Sequence, residues 1–314
     1  MANLAMEGPV FHQPVMLAEV VDLLAVGPGR VYVDATVGEG GHAQGILEAS
    51  GPLGRVLGID LDPRSLTRAV ERLSGYGSRF IPAQGNYAGL ERLASAHGIT
   101  QVHGVLLDLG FSSLQIEAAG FGFSFQRDEP LDMRYDPEAA LSAATIVNTY
   151  PQEELARLIF DYGEEPRARA IARAIVRYRP VDSTRHLGNI IAEAIGATRG
   201  HRIHPSTRTF QALRMAVNNE LDNVRLGLSA GIRLLAPGGR LVVISYHSLE
   251  DRVVKETMVR ESAGCICPPR LPECRCGHQP SVRLLTRRII RPTPEEVRVN
   301  HRSRSARMRV AEKL

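Results

Sequence analysis

The chain has 314 residues, 44% of them hydrophobic, with 38 Lys or Arg against 34 Asp or Glu and a formal net charge of +4. That length and apolar content argue against disorder and leave room for one large core or two modest ones, as in an enzyme-sized globular protein. No window approaches the roughly 18 apolar residues of a membrane span, and MANLAMEGPVFHQPVML lacks the basic-then-apolar pattern of a signal peptide, so a cytoplasmic protein with no membrane partner is expected.

In chain order, RVYVDA from Arg30, RVLGID from Arg55, SRFIPA from Ser78 and VHGVLLD from Val102 are apolar runs of strand length. Between them lie helical patterns such as PRSLTRAVERL, with Leu66, Ala69, Val70 and Leu73 on one face. Strand alternating with helix predicts an α/β fold with a mostly parallel sheet covered on both faces. Residues Gln115 to Tyr135 form a Gly- and Phe-rich loop, and its Phe121, Phe123 and Phe125, with Phe111 just before it, suit core filling more than base stacking. PQEELARLIFDYG, EEPRARAIARAIVRYRP and TRHLGNIIAEAIG then read as helices, a helical insertion the size of a small domain. One long helical pattern, TRTFQALRMAVNNELDNVRLGLSAGIRLLA, repeats Phe210, Leu213, Val217, Leu221 and Val224 every three or four positions. It leads through the turn Pro237-Gly238-Gly239 to a strand over Leu241 to Ser245, and VRLLTRRIIRP and SARMRVAEK can close the sheet as an antiparallel pair. The expected division is residues 1–114 and 206–314 for the sheet domain, the latter with a basic tail, and 115–205 for the insertion.

Gly38, Gly40 and Ala43 match the loose dinucleotide pattern after a strand, and Asp60 lies where a ribose-binding acid is expected. Asp34 at the end of the first strand would repel a pyrophosphate, however, and there is no G-K-[ST] for a nucleotide triphosphate. The residues ask for a ligand with a ribose and a positive charge but no phosphate. S-adenosylmethionine meets that description. Asp34, Asp60 and Asp108 close three strands whose carboxyl ends open onto one crevice, although each alone also suits a helix N-cap.

Charge is uneven. From Arg270 onward there are twelve Lys or Arg against four acids, and from Glu164 to Arg214 ten Arg against four acids, both suited to phosphate contacts as well as to solvated helix faces. Cys265, Cys267, Cys274 and Cys276 form C-x-C-x6-C-x-C with His278 nearby; tetrahedral metal, free thiols and occasional disulfides all remain open, and no metal ligand is assigned.

The set DATVGEGGH, GIDLDP, LLDLGFSS, GFSF, PLDMR, YGEE, TRTFQALR, LAPGGRLVVIS, HSLEDR and NHRSRSARMR, in order from about His12 to Ala311, resembles the bacterial ribosomal RNA small-subunit methyltransferase H family, also called MraW. The resemblance implies a Rossmann-like S-adenosylmethionine-dependent methyltransferase sheet with an inserted all-helical domain. It also implies methylation of the exocyclic N4 of one cytidine in the decoding region of small-subunit ribosomal RNA, presented by an assembled or nearly assembled subunit. Cofactor contacts carry over onto Gly40, Gly41, His42, Asp60, Tyr87, Asp108 and Gln115, with Tyr87 standing where other members can carry Phe.

Cytosine N4 has its lone pair delocalised into the ring, so a group accepting a hydrogen bond from its N–H would help it become nucleophilic; Asp108 or the carbonyls of Leu109 and Gly110 are the candidates. Ser112 and Ser113 are candidate base contacts or a simple turn. Tyr246 and His247 follow the next strand and suit an extruded base, the Tyr by stacking and the His by hydrogen bonding. His42, at a helix N-terminus, is read as a neutral contact. Competing readings are an amino methyltransferase for DNA or another RNA, disfavoured by Asp108-Leu109-Gly110-Phe111 in place of N/D-P-P-Y/F, a dinucleotide oxidoreductase, disfavoured by Asp34, and a non-catalytic RNA-binding assembly factor.

Overall fold

A computed structural model describes residues 13–110, 120–196, 204–268 and 273–314. The chain forms two compact units, one of Met1–Gly110 with Asn223–Leu314 and one of Phe111–Asp222.

The first unit is built on a seven-stranded sheet. Its strands are β1 (Val31–Asp34), β2 (Arg55–Asp60), β3 (Phe80–Gln84), β4 (Val102–Asp108), β5 (Leu235–Ser245), β6 (Val282–Leu284) and β7 (Arg307–Lys313), in the order β3-β2-β1-β4-β5-β7-β6. The first five run parallel, and β7 and β6 join antiparallel, as expected of the two late β-like runs. Tyr32, Val56, Leu106, Val242, Ile244, Met308 and Val310 form a core with Val20, Ile46 and Leu47 from α1 (Leu17–Leu23) and α2 (Gly41–Ala49). Gly58 lets β2 and β3 pack here, since a Cβ on it would fall 2.5 Å from the Phe80 ring. In α3 (Pro63–Arg72) Ala69 is buried, but Val70 is 43% exposed; the buried face turns through Ser65 rather than Val70. The Pro237–Gly239 turn lies inside β5, where the pairing with β4 jumps from Val102↔Leu235 to Gly104↔Arg240.

The second unit is helical within its described residues: α5 (Ala143–Thr149), α6 (Gln152–Gly163), α7 (Ala168–Arg177), α8 (Thr184–Ile195) and α9 (Ser206–Val217), α4 (Leu90–Ala96) having preceded β4. Ile146, Leu155, Ile159, Ile171, Ile175, Leu187 and Ile191 make its core, with Phe123 and Phe125 of the long loop packed against it. Phe125 stacks on His204 at 4.3 Å and meets Phe210 edge-on at 5.4 Å, so these rings fill the core; Phe111 lies outside the described residues.

The expected boundary at 205/206 moves to 222/223. Phe210, Leu213 and Val217 of α9 belong to the helical core. The single long helix of the sequence reading is therefore two, α9 and α10 (Glu220–Leu234), with Asn219 between them at φ 48. Asn is among the few side chains that tolerate the left-handed conformation. Its neighbour Asn218 holds the break, its amide donating to the carbonyls of Met133 and Arg214 at 2.7 and 2.9 Å while its oxygen accepts from the Tyr135 amide at 2.8 Å. The expected boundary at 114/115 is likewise 110/111. Among the described residues no helix is long and apolar enough to cross a membrane.

Candidate active site

β1, β2 and β4 each end in an aspartate, and because the sheet places them side by side, Asp34, Asp60 and Asp108 emerge at neighbouring strand ends. Here the strand order reverses, which is where doubly wound sheets hold ligands.

The glycine loop leaves β1 and caps α2. Gly38 and Gly40 have φ of 53 and 83, so both occupy the left-handed region that a side chain would resist. Packing adds to the demand: a Cβ on Gly40 would sit 3.0 Å from Leu73, and one on Gly41 3.2 Å from Pro14. Asp60 fixes the loop, its Oδ2 accepting from the Gly38 amide and its Oδ1 from the Asp62 amide, each at 2.9 Å. Burial nevertheless pushes its carboxyl up to about 6, against those backbone bonds.

Asp34 is fully buried. Its Oδ1 accepts from the Thr36 amide at 3.3 Å, while Oδ2 is buried and meets no donor among the described residues. Burial pushes this carboxyl up to about 6, His42 and the Thr36 amide oppose the rise, and the nearby Asp108 and Asp60 add to it. A buried acceptor without a partner costs free energy, so a ligand bringing a donor or positive charge would be welcome here.

Asp108 is set by two contacts. Its amide donates to Thr36 Oγ1 at 2.7 Å, and its Oδ1 accepts from the Tyr246 hydroxyl at 2.8 Å. Its carboxyl is raised by burial, with His42 and the Tyr246 bond pulling it back down. The Tyr246 hydroxyl is itself held well above its ordinary value by burial and by Asp108, so it remains a donor. Its ring packs against Gly110, where φ is 126 and a Cβ would lie 3.1 Å away.

His42 is buried in the first turn of α2. Its Nε2 lies 2.8 Å from the Val15 carbonyl, which can only accept, so Nε2 carries the hydrogen and Nδ1 faces Asp108 Oδ2 at 3.7 Å. The segment Gln13–Met16 is thus part of the site. It is pinned by the Met16 amide donating to Glu296 at 2.7 Å and by Asn300 donating to the Gln13 carbonyl at 3.2 Å. Sequence reasoning missed this segment, because no local pattern announces a contact across nearly the whole chain.

Tyr246 lies beside Asp108, and its hydroxyl is engaged by that carboxylate. His247 caps α11 (Ser248–Glu261): its Nδ1 accepts from the Glu250 amide at 3.3 Å, and Glu250 Oε2 accepts from the amides of Tyr246 and His247. Glu250 is the other omission; its spacing three residues after His247 is that of a capping box, masked because His is an unusual N-cap. Tyr87 rests on α10, where a Cβ on Gly227 would fall 2.5 Å from its ring. Ser112, Ser113 and Gln115 lie outside the described residues.

Among the described residues no Lys or Arg ion-pairs with Asp34, Asp60 or Asp108. An anionic ligand would compound their repulsion and a cationic one relieves it, so the donor set fits a sulfonium nucleoside better than a dinucleotide.

The profile of the MraW methylase family matches residues 9–314. The chain is 52% identical over 318 residues to the "Ribosomal RNA small subunit methyltransferase H" of Thermomicrobium roseum, covering 100% of this chain and 97% of that relative. It is 50% identical over 311 residues to the protein of the same name from Syntrophobacter fumaroxidans, covering 98% of each.

Proposed function

Because the chain belongs to the MraW methylase family, we propose that it methylates the exocyclic N4 of a cytidine in the decoding, P-site region of small-subunit ribosomal RNA, in the cytoplasm. The observation that carries the reading is Asp108, fixed at the end of β4 by Tyr246 and backed by His42, near an Asp34 oxygen that meets no donor among the described residues. S-adenosylmethionine, the methyl donor, supplies when bound an electrophilic methyl on a sulfonium, and with it the positive charge this site lacks.

Each residue then has a task. Asp34 Oδ2 meets the positive charge; Asp60, held by two amides, keeps lone pairs free to accept from ribose hydroxyls; the turn through Gly40, Gly41 and His42 shapes the floor. Tyr87 and Gln115 complete the proposed cofactor contacts, and Ser112, Ser113, Tyr246 and His247 the proposed surroundings of the base.

Alignment of donor and acceptor supplies much of the rate in such an in-line displacement. Methylation would leave N4 with one proton too many, which a group of the chain would have to accept. Asp108 accepts the N4–H hydrogen bond and then that proton, with His42 Nδ1 3.7 Å behind it.

The test is transfer of labelled methyl to small ribosomal subunits that lack the modification, with the labelled nucleoside identified by mass spectrometry. N4-methylcytidine formed by the wild type and lost with Asp108→Ala is the expected result. Label on a carbon or a ribose oxygen, or transfer to DNA and not to subunits, would overturn the assignment.

A further inference from the structure

The four cysteines are absorbed by none of this chemistry. We propose that Cys265, Cys267, Cys274 and Cys276 form a closed tetrathiolate site for one structural zinc ion. Their sulfur atoms all lie within 4.8 Å of one another, with Cys274 to Cys276 at 3.6 Å and Cys276 to Cys265 at 3.8 Å. A tetrahedron with zinc–sulfur bonds of about 2.3 Å has edges of about 3.8 Å. The sulfurs are therefore spaced as the corners of a mononuclear cage and stand well beyond the roughly 2.05 Å of a disulfide.

The backbone is arranged to match. The Ile266 amide donates to Cys276 Sγ, the Cys267 amide to Cys265 Sγ and the Arg275 amide to Cys267 Sγ, each at 3.4 Å. Such N–H···S bonds orient a thiolate and spread its charge, as the surroundings of metal ligands do. His278, the additional candidate ligand, has Nε2 on the Arg260 carbonyl at 3.0 Å, and four thiolates already complete a tetrahedral shell. A complete shell leaves no open position, which marks a structural rather than a catalytic ion.

Packing gives the cluster no other reason to exist. Cys265, Cys274 and Cys276 are exposed, Ile266 is exposed beside them, and none of the four cysteines belongs to an apolar core. Unliganded cysteine behaves as a small hydrophobe and is usually buried. The loop joins the end of α11 to β6, and its feet are already held, the Ser281 amide donating to the Glu261 carbonyl at 2.8 Å and its hydroxyl to the Glu261 carboxylate at 2.7 Å. An ion at the cysteines would close the other end.

The full chain, produced without an affinity tag in zinc-supplemented medium and dialysed against metal-free buffer, should carry about one zinc per chain by elemental analysis. Replacement by cobalt should give the intense visible absorption of a tetrahedral cobalt thiolate. Cys274→Ser with Cys276→Ser should bring zinc below about a tenth of an equivalent, with circular dichroism checking that the variant is folded. Should that variant fail to fold, chelation of the wild type is the substitute, with increased proteolytic cutting in the loop expected at unchanged circular dichroism. Wild-type protein without bound zinc or a cobalt spectrum, iron in place of zinc, or disulfides among the four cysteines on non-reducing mass spectrometry would each overturn the proposal.

Discussion

Burying the Asp34 carboxyl costs the ligand-free protein stability at neutral pH. Its ordinary value of 3.8 rises to about 6 in the fold, so folding takes up a proton between those two values. Its contribution is therefore fully favourable below about pH 4 and is lost as pH rises through about 6, a change of about 3 kcal/mol. Asp34→Asn removes the titration, so the stability difference between wild type and variant, from urea unfolding, should change by about 3 kcal/mol between pH 3 and 7.5. A pH-independent difference would show that Asp34 is not strained. Tyr246 acts differently, as the donor that positions Asp108. Losing a hydrogen bond to a charged acceptor costs about 1.5–3 kcal/mol, so Tyr246→Phe should slow single-turnover methyl transfer about 10- to 100-fold. The phenol also holds the Asp108 carboxyl down, so without it the acid limb of the pH–rate profile should move to higher pH. An unmoved profile would remove this pair from the reaction.

The elements that carry the site were legible in proportion to how local their signals are. VHGVLLD is β4 from end to end, and RVLGID is β2, because a strand buried on both faces is written as a continuous apolar run that stops at its polar end. The three strand-end aspartates followed from that and from the topology. The split between α9 and α10 did not, since the apolar period runs on through Asn218 and Asn219 and only the bonds of Asn218 to Met133 and Tyr135 show where the helix stops. The Gln13–Met16 contact was equally illegible, its partners being Glu296 and Asn300. At the start of α11 His247 has a role that was not legible: its Nδ1 caps the helix, in addition to the base contact proposed for it. Losing such a cap costs about 1 kcal/mol, so His247→Ala should lower thermal stability by that much while reducing methyl transfer less than Tyr246→Phe does. Unchanged melting with a rate fall as large as that of Tyr246→Phe would show that His247 acts on the substrate and not through the cap.

At the scale of the whole molecule, the excess of arginine suggested an RNA interface without saying which arginines form it. Many are spent inside the fold. Arg309 makes two bonds to Asp251 at 2.6 and 3.1 Å, Arg214 makes two to the buried Glu220 at 2.8 and 2.9 Å, and Arg179 caps the carbonyls of Val147 and Tyr150. Arg169, Arg173 and Arg177 stand apart. They recur every four residues along α7, all exposed, while Ala168, Ile171, Ala172 and Ile175 bury the opposite side. Residues so spaced share one helix face, and a row of guanidinium groups there can follow a phosphate backbone. Each phosphate contact releases counterions, adding about 0.7 to 0.9 to the slope of log affinity against log salt. Changing all three to Gln should therefore lower the slope for small-subunit RNA by about 2 to 3 and leave S-adenosylmethionine affinity unchanged. Arg309→Gln should do the reverse, costing stability with the salt slope intact, because its charge is already neutralised by Asp251. Equal slopes for the triple variant and the wild type would place the RNA on another face and reduce the α7 arginines to solvating charge.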